Sequence, residues 1–217
     1  NIGIRISAMG WWDKTYVYTQ PRVNLNYLPN KQTLFQMGAG MMVQHLHLLS
    51  PSNNISGLPK DVWVNSTSLI EPQKSWQFMV GFQQKFPRGV EFNLSGYYKK
   101  LDNLISFIEN DLLYFSSDNW QGNVESGEGW SYGTEVFLKK QTPKFSSWIG
   151  YTLAKTTRQF GEDINEGKKY PFRLDRRHNL NFAILYKLNQ KIELSANWVY
   201  ASGSFFTAPE TITWITI

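Results

Sequence analysis

The 217-residue sequence contains no cysteine. That excludes a disulfide scaffold and a thiolate metal site, and it fits an oxidising compartment where stray thiols are a hazard. No apolar run of about eighteen residues occurs either, so no membrane-crossing helix is encoded. The first residues, NIGIRISA, already alternate apolar with polar where a signal peptide would place a charged segment and an apolar stretch. With the strand-like ending TITWITI, the chain reads as a piece cut at both ends from a longer protein, any export signal lying upstream. A basic stripe is missing too. The net charge is +5 and the pI near 9.3, but the basic residues are scattered, which argues against nucleic acid as a partner.

What the sequence does contain is alternation. After His178 the apolar residues Leu180, Phe182, Ile184, Tyr186 and Leu188 occupy every second position, with Asn179, Asn181 and Lys187 on the other parity. The turn Asn189-Gln190-Lys191 follows, and the pattern restarts with Ile192, Leu194, Ala196, Trp198 and Tyr200. So short a turn allows only an antiparallel hairpin, and each arm matches the roughly 9–11 residues a tilted strand needs to cross a bilayer. Aromatic residues make up 16% of the chain, yet mean hydropathy is −0.39. Alternating strands produce that combination, because each carries one apolar and one polar face.

Period two recurs over residues 2–8, 16–27, 34–47, 75–86, 90–101, 132–141, 145–158, 177–188 and 192–201, and no long helical pattern appears. The clearest apolar faces are Trp76/Phe78/Val80/Phe82, Val90/Phe92/Leu94 and Phe145/Ile149/Tyr151/Leu153, opposed by Gln77, Gln83, Glu91, Asn93 and Ser95. Glu135, Asn181, Glu193 and Asn197 join this polar set. Short turns (LPNKQ, PRG, TPK, NQK) alternate with longer connections around 9–15, 48–74, 102–131 and 159–176. Strands running up and down would gather the short turns at one end and the long loops at the other, as in outer-membrane barrels. Trp11, Trp12, Tyr16, Tyr18, Trp198 and Tyr200 near loops, and Phe86 and Phe145 near turns, supply candidates for two interfacial aromatic girdles. A soluble β-sandwich binding module would bury the same faces, although its strands usually cluster near five or six residues.

Four short motifs carry a family resemblance: Gly133/Glu135, Ser147/Trp148/Tyr151/Thr152/Leu153, Asp175/Arg177/His178 and Tyr200/Gly203. Their order resembles the late barrel strands of TonB-dependent outer-membrane receptors, particularly the type found in Bacteroidetes, and LPKDVWVNSTSLIEPQKSWQFMVGF is similar to a loop and strand midway round such barrels. The resemblance implies an all-β, antiparallel up-and-down meander, the C-terminal part of a 22-stranded transmembrane β-barrel. Residues 1–217 would then be one partial barrel domain, the plug and other N-terminal regions being absent. It also implies a bacterial outer-membrane receptor and active transporter for a scarce or bulky ligand (siderophore, cobalamin, oligosaccharide or peptide). The expected partners are outer-membrane lipid, and the TonB complex acting through the missing N-terminal region. No enzymatic activity and no cofactor are expected.

Several constellations could carry chemistry. Asp175-Arg176-Arg177-His178 stands where a long loop becomes a strand, and the expectation is a structural rim cluster in which Asp175 pairs with an arginine and fixes the loop's return. The alternative is an outer-membrane hydrolase using Asp175 and His178, which needs a serine or second carboxylate within reach of His178. His45 and His47 share a strand face, but no further ligand follows at a telling distance, so no metal site is expected. The glycines of MGAGMM, inside a strand, are expected to ease curvature or close packing. For ligand contact the candidates are the loop aromatics Trp63, Tyr114, Trp120 and Trp130, against the plainer reading that the tryptophans anchor their loops.

Overall fold

A computed structural model describes residues 1–12, 14–49, 62–108 and 120–205. These form β1 (Ile2–Trp11), β2 (Lys14–Asn30), β3 (Thr33–Gln44), β4 (Leu46–Leu49), β5 (Val62–Asn65), β6 (Gln73–Phe86), β7 (Val90–Phe107), β8 (Val124–Gln141), β9 (Phe145–Gln159), β10 (Tyr170–Pro171), β11 (His178–Lys187) and β12 (Glu193–Ala201). One sheet runs β1-β2-β3-β6-β7-β8-β9-β11-β12, with β10 paired to β9, while β4 and β5 make a separate hairpin. Every pairing is antiparallel. The chain is all-β and up-and-down as expected, and among the described residues the sheet does not close on itself.

Short side chains with one carbonyl or hydroxyl oxygen make the tight turns. Asn30 Oδ1 accepts the amides of Gln32 and Thr33 at 2.8 and 2.9 Å, and Asn189 Oδ1 repeats this with Lys191 and Ile192 at 2.8 and 2.9 Å. Thr142 Oγ1 accepts the Phe145 amide at 3.0 Å. At Pro87-Arg88-Gly89 the backbone turns through φ 63° and 71°, and a Cβ on Gly89 would lie 2.0 Å from the Gln141 carbonyl of the neighbouring turn. Only glycine permits that approach.

Three expectations need correction. The connection over 9–15 is no long loop: β1 continues through Gly10 to Trp11, whose Cα partner is Lys14. Gly10 interrupts the apolar pattern but not the backbone ladder. The strand expected over 34–47 ends at Gln44, and the chain bends at His45 before β4 leaves the wall. β7 and β8 are each 18 residues long and overshoot the sequence estimate, reaching beyond the wall as a protruding hairpin. A β-bulge between Leu101 and Leu104, with Asn103 at φ 59°, marks where β7 departs from it.

The two faces of the wall differ throughout. One row reads Tyr27, Phe35, Phe82, Leu94, Val136, Tyr151, Leu180 and Tyr200 across consecutive strands. Its aromatics form a ladder near the turn end, with ring centroids 6.3 Å (Tyr27–Phe35) and 5.2 Å (Phe35–Phe82) apart. The row of opposite parity reads Asn26, Gln36, Gly81, Ser95, Glu135, Thr152 and Asn179. This polar face is the concave one, and over β1 to β8 it lines a trough of about 900 Å³. Gly38 lies on it, where a Cβ would meet Met79 Cγ at 2.9 Å and Asn24 Oδ1 at 3.0 Å, so the glycine admits its neighbours as expected.

The wall holds no buried core. Apart from Tyr16 on β2, the buried apolar side chains of the described residues gather beyond its loop end, in Leu49/Ile70/Ile105 and Leu104/Phe160/Ile164. Val64, Phe107, Trp120 and Val124 complete the first cluster, which docks the β4–β5 hairpin on the β7–β8 extension.

Candidate functional site

At the outer rim, Asp175 is 3% exposed. β10 stops pairing with β9 at Pro171↔Thr157, and β11 resumes at His178↔Leu153. Between them the Thr156 amide has no ladder partner, and Asp175 Oδ1 accepts it at 2.7 Å. The Asp175 amide donates to Phe172 O at 2.8 Å, closing the turn. Arg177 Nη2 stands 3.8 Å from Asp175 Oδ2, an ion pair too long to be a hydrogen bond. Arg176 is exposed.

His178 serves other neighbours. Its Nδ1 is 2.8 Å from the Tyr151 hydroxyl, and its backbone amide donates to Ser202 Oγ at 3.1 Å. The hydroxyl beside the imidazole therefore belongs to a tyrosine, and the nearby serine is bonded to backbone. With Asp175 bound to Thr156, acid, imidazole and serine form no relay, and the hydrolase reading is not favoured.

The loop aromatics have different fates. Trp120 packs on the Leu49/Ile70/Ile105 cluster. Trp130 is capped by Lys169, whose Nζ lies 3.4 Å from the ring centroid. Trp63 on β5 is 60% exposed. Tyr114 lies outside the described residues. Tyr16 and Tyr18, expected in a lipid-facing girdle, instead share the concave parity: Tyr16 is buried, and its hydroxyl donates to Thr67 O at 2.8 Å. The girdle expectation fails there because Val17 and Thr19, not the tyrosines, continue the convex face. Trp198 and Tyr200 do lie on the convex side, stacked at 6.2 Å.

His47 is fully buried, with ring nitrogens 3.1 Å from Ser66 Oγ and 3.2 Å from Gln73 Nε2. Burial lowers its pKa below the ordinary 6.5, opposed by a hydrogen bond to the Glu71 backbone. His45 sits at the bend, both ring nitrogens buried without a hydrogen bond, and no group of three or more metal-ligating side chains exists among the described residues. Asn103, at the bulge, donates to Pro72 O at 3.0 Å and Glu71 Oε2 at 3.2 Å, tying the incoming loop to β7.

Sequence reasoning missed the cations of the concave side. Arg5, Arg22 and Lys99 line the trough, and Arg158 lines an adjoining hollow of about 190 Å³. The Arg158 guanidinium lies 3.7 Å from the Phe172 ring centroid. The guanidinium keeps its charge at neutral pH. The signal was available, since each of these residues falls on the polar parity of its strand.

A profile of the family described as TonB dependent receptor-like, beta-barrel matches residues 3–214. The chain belongs to that family. Membership places the role of this receptor-like barrel chain in transport at the bacterial outer membrane, in a family that is not enzymatic. Neither the comparison with curated proteins nor that with solved structures gives a match. The split faces now have a physical meaning for this family member: an apolar convex face for lipid and a polar concave face for the lumen.

Proposed function

We propose that this chain forms part of the wall of a 22-stranded, plugged outer-membrane transporter of the Bacteroidetes type, which takes up a scarce or bulky ligand using energy delivered through TonB. The observation that carries the reading is the wall itself, apolar outside, polar inside and without a core of its own. Such a sheet is stable only with hydrocarbon on one side and water or protein on the other. β1 and β12 each pair on one side only, and further strands of a larger protein would cover those edges. An N-terminal plug would fill the polar interior and receive TonB, and the loop end would meet the ligand first. Gln77, Gln83, Glu91, Asn93, Ser95, Glu135, Asn181, Glu193 and Asn197 would hydrate the path or pack on the plug. The rim cluster of Asp175 to His178 holds a loop in place. Exposed Trp63 remains the aromatic best placed for ligand contact among the described residues, and Tyr114 stays a candidate from sequence alone.

The test uses cells expressing the full-length protein. The protein should fractionate with the outer membrane, show heat-modifiable gel mobility, and support ligand uptake that stops when TonB is deleted. Uptake that persists without TonB would rule out the energised mechanism, and recovery in a detergent-free soluble fraction would rule out the barrel.

A further inference from the structure

The concave trough is not evenly polar. One cross-strand row on it reads Gly3, Arg22, Gly40, Gln77 and Lys99. Arg22 has glycine on both sides, and a Cβ on Gly3 would lie 2.8 Å from Arg22 Nε, so the glycine leaves room for the guanidinium to lie across β1. Arg5 stands two residues further toward the loop end of β1. None of these three cations forms an ion pair among the described residues. The one carboxylate lining the trough, Glu135, lies four residues per strand closer to the turns and accepts from Ser95. Near the turn end the pattern differs, since Lys85, Glu91 and Lys139 follow one another across the strands and alternate in sign. Among the described residues, cations without acids are thus confined to the outer half of the concave face.

The row continues toward the rim. The trough and the hollow beneath Arg158 share Gln44, Gln73 and Leu101, so the two are contiguous. Arg158, lying on Phe172 with Arg173 nearby, places a guanidinium at the mouth. Arg5 and Arg22 are exposed to the trough and Lys99 is half-buried on it, so their charged ends are open to a visitor, and guanidinium groups beside side-chain amides are well matched to carboxylate, phosphate or sulfate oxygens.

We propose that the outer half of the concave wall is a binding path for an anionic ligand bearing two or more carboxylate, phosphate or sulfate groups, received at Arg158 and held by Arg5, Arg22 and Lys99. This inference rests on the receptor reading for its direction of transport, while the site itself rests on the wall. Lipid on the convex face cannot reach these residues, and their spread over β1, β2, β7 and β9 fits a ligand with separated charges better than a single small ion.

The test is binding of citrate to the full-length receptor in detergent at about 50 mM salt, where screening is modest, compared with the neutral triamide of citrate. Citrate should bind about tenfold more tightly than the triamide, and Arg22→Gln and Lys99→Gln should each weaken it about tenfold, the scale of one charge-assisted hydrogen bond. Lys139→Gln, opposite Glu91 at the turn end, should leave citrate binding unchanged. Equal affinity for citrate and triamide, or full citrate affinity in Arg22→Gln/Lys99→Gln, would overturn the site. So would a receptor that ignores citrate but melts at lower temperature in the double variant, because the cations would then be counter-ions to acids elsewhere in the same protein. A protein that binds citrate as expected but does not fractionate with the outer membrane would sink the transport reading and uphold the anion site.

Discussion

The wall and the outer rim of this chain solve opposite problems with the same kind of strand. In the wall, Ile4, Val23, Phe78, Val80 and Leu94 stay exposed on one face while Asn24, Gln77 and Ser95 stand on the other. At the rim, Leu49, Ile70 and Ile105 are buried against one another, and Leu104, Phe160 and Ile164 form a second buried cluster. A water-soluble sheet would have had to cover the wall's apolar face, as the β4–β5 hairpin covers the rim's. That a small core appears only beyond the loop end shows where water begins: the rim obeys the ordinary hydrophobic effect, and the wall relies on lipid. Strand length tells the same story, since β7 and β8, with 18 residues each, exceed the roughly 9–11 needed to cross and carry the surplus into the rim.

The comparison can be broken at either end. Leu49→Ala should cost the rim about 3–4 kcal/mol, as removal of a fully buried leucine does, and proteolysis should then open the β4–β5 hairpin while heat-modifiable mobility of the barrel survives. If the whole barrel collapsed with it, rim and wall would be one cooperative unit. Val80→Arg, in the middle of the apolar band of β6, should destabilise the barrel in lipid by about 3 kcal/mol. Gln83→Arg on the concave face of the same strand should cost nothing measurable by urea unfolding in vesicles. Equal penalties would mean that the faces are assigned wrongly. Asp175→Ala leaves the Thr156 amide without an acceptor in a buried site and should cost about 2 kcal/mol, seen as faster hydrogen exchange at residues 154–158 and slower ligand capture. Gly89→Ala forces a side chain onto φ 71° and into the Gln141 carbonyl. It should cost about 1–2 kcal/mol and slow assembly of the neighbouring turns.

The smallest effect is a pH dependence confined to the rim. The pKa of His47 is lowered by burial, so the unfolded hairpin takes up a proton before the folded one does. Above the ordinary value of 6.5 the ring is neutral in both states and the docked hairpin keeps its full stability. As pH falls through 6.5 toward the lowered folded value, stability is lost. Protease sensitivity of the β4–β5 hairpin should therefore rise below pH 6.5, and His47→Gln should flatten that profile without changing the wall.

Much of this was legible before any coordinates. Alternation located all nine strands of the wall's main path, because a half-buried strand must repeat every two residues whatever lies across from it. An acid at a loop's return has backbone amides to satisfy, and Asp175 accepts that of Thr156. Other features were hidden for particular reasons. Gly10 lacks the side chain that pattern reading needs, so the first hairpin looked like a loop. Tyr16 and Tyr18 looked like membrane-interface residues by type, yet parity turned them inward, where Tyr16 meets Thr67 from a segment about fifty positions away in sequence. The role of Asn103 depends on its φ of 59° and on the proximity of Glu71 and Pro72.

The amino-acid order alone determined the alternation, the turn residues and the family, since each is a local pattern or a succession of local patterns. Tertiary structure decided which polar residues share a row. Arg22 and Lys99 share one row on the concave surface only because register across β2, β3, β6 and β7 aligns them, and register is set by every hydrogen bond of the ladder together. Curvature then turned that row inward, which no single strand encodes.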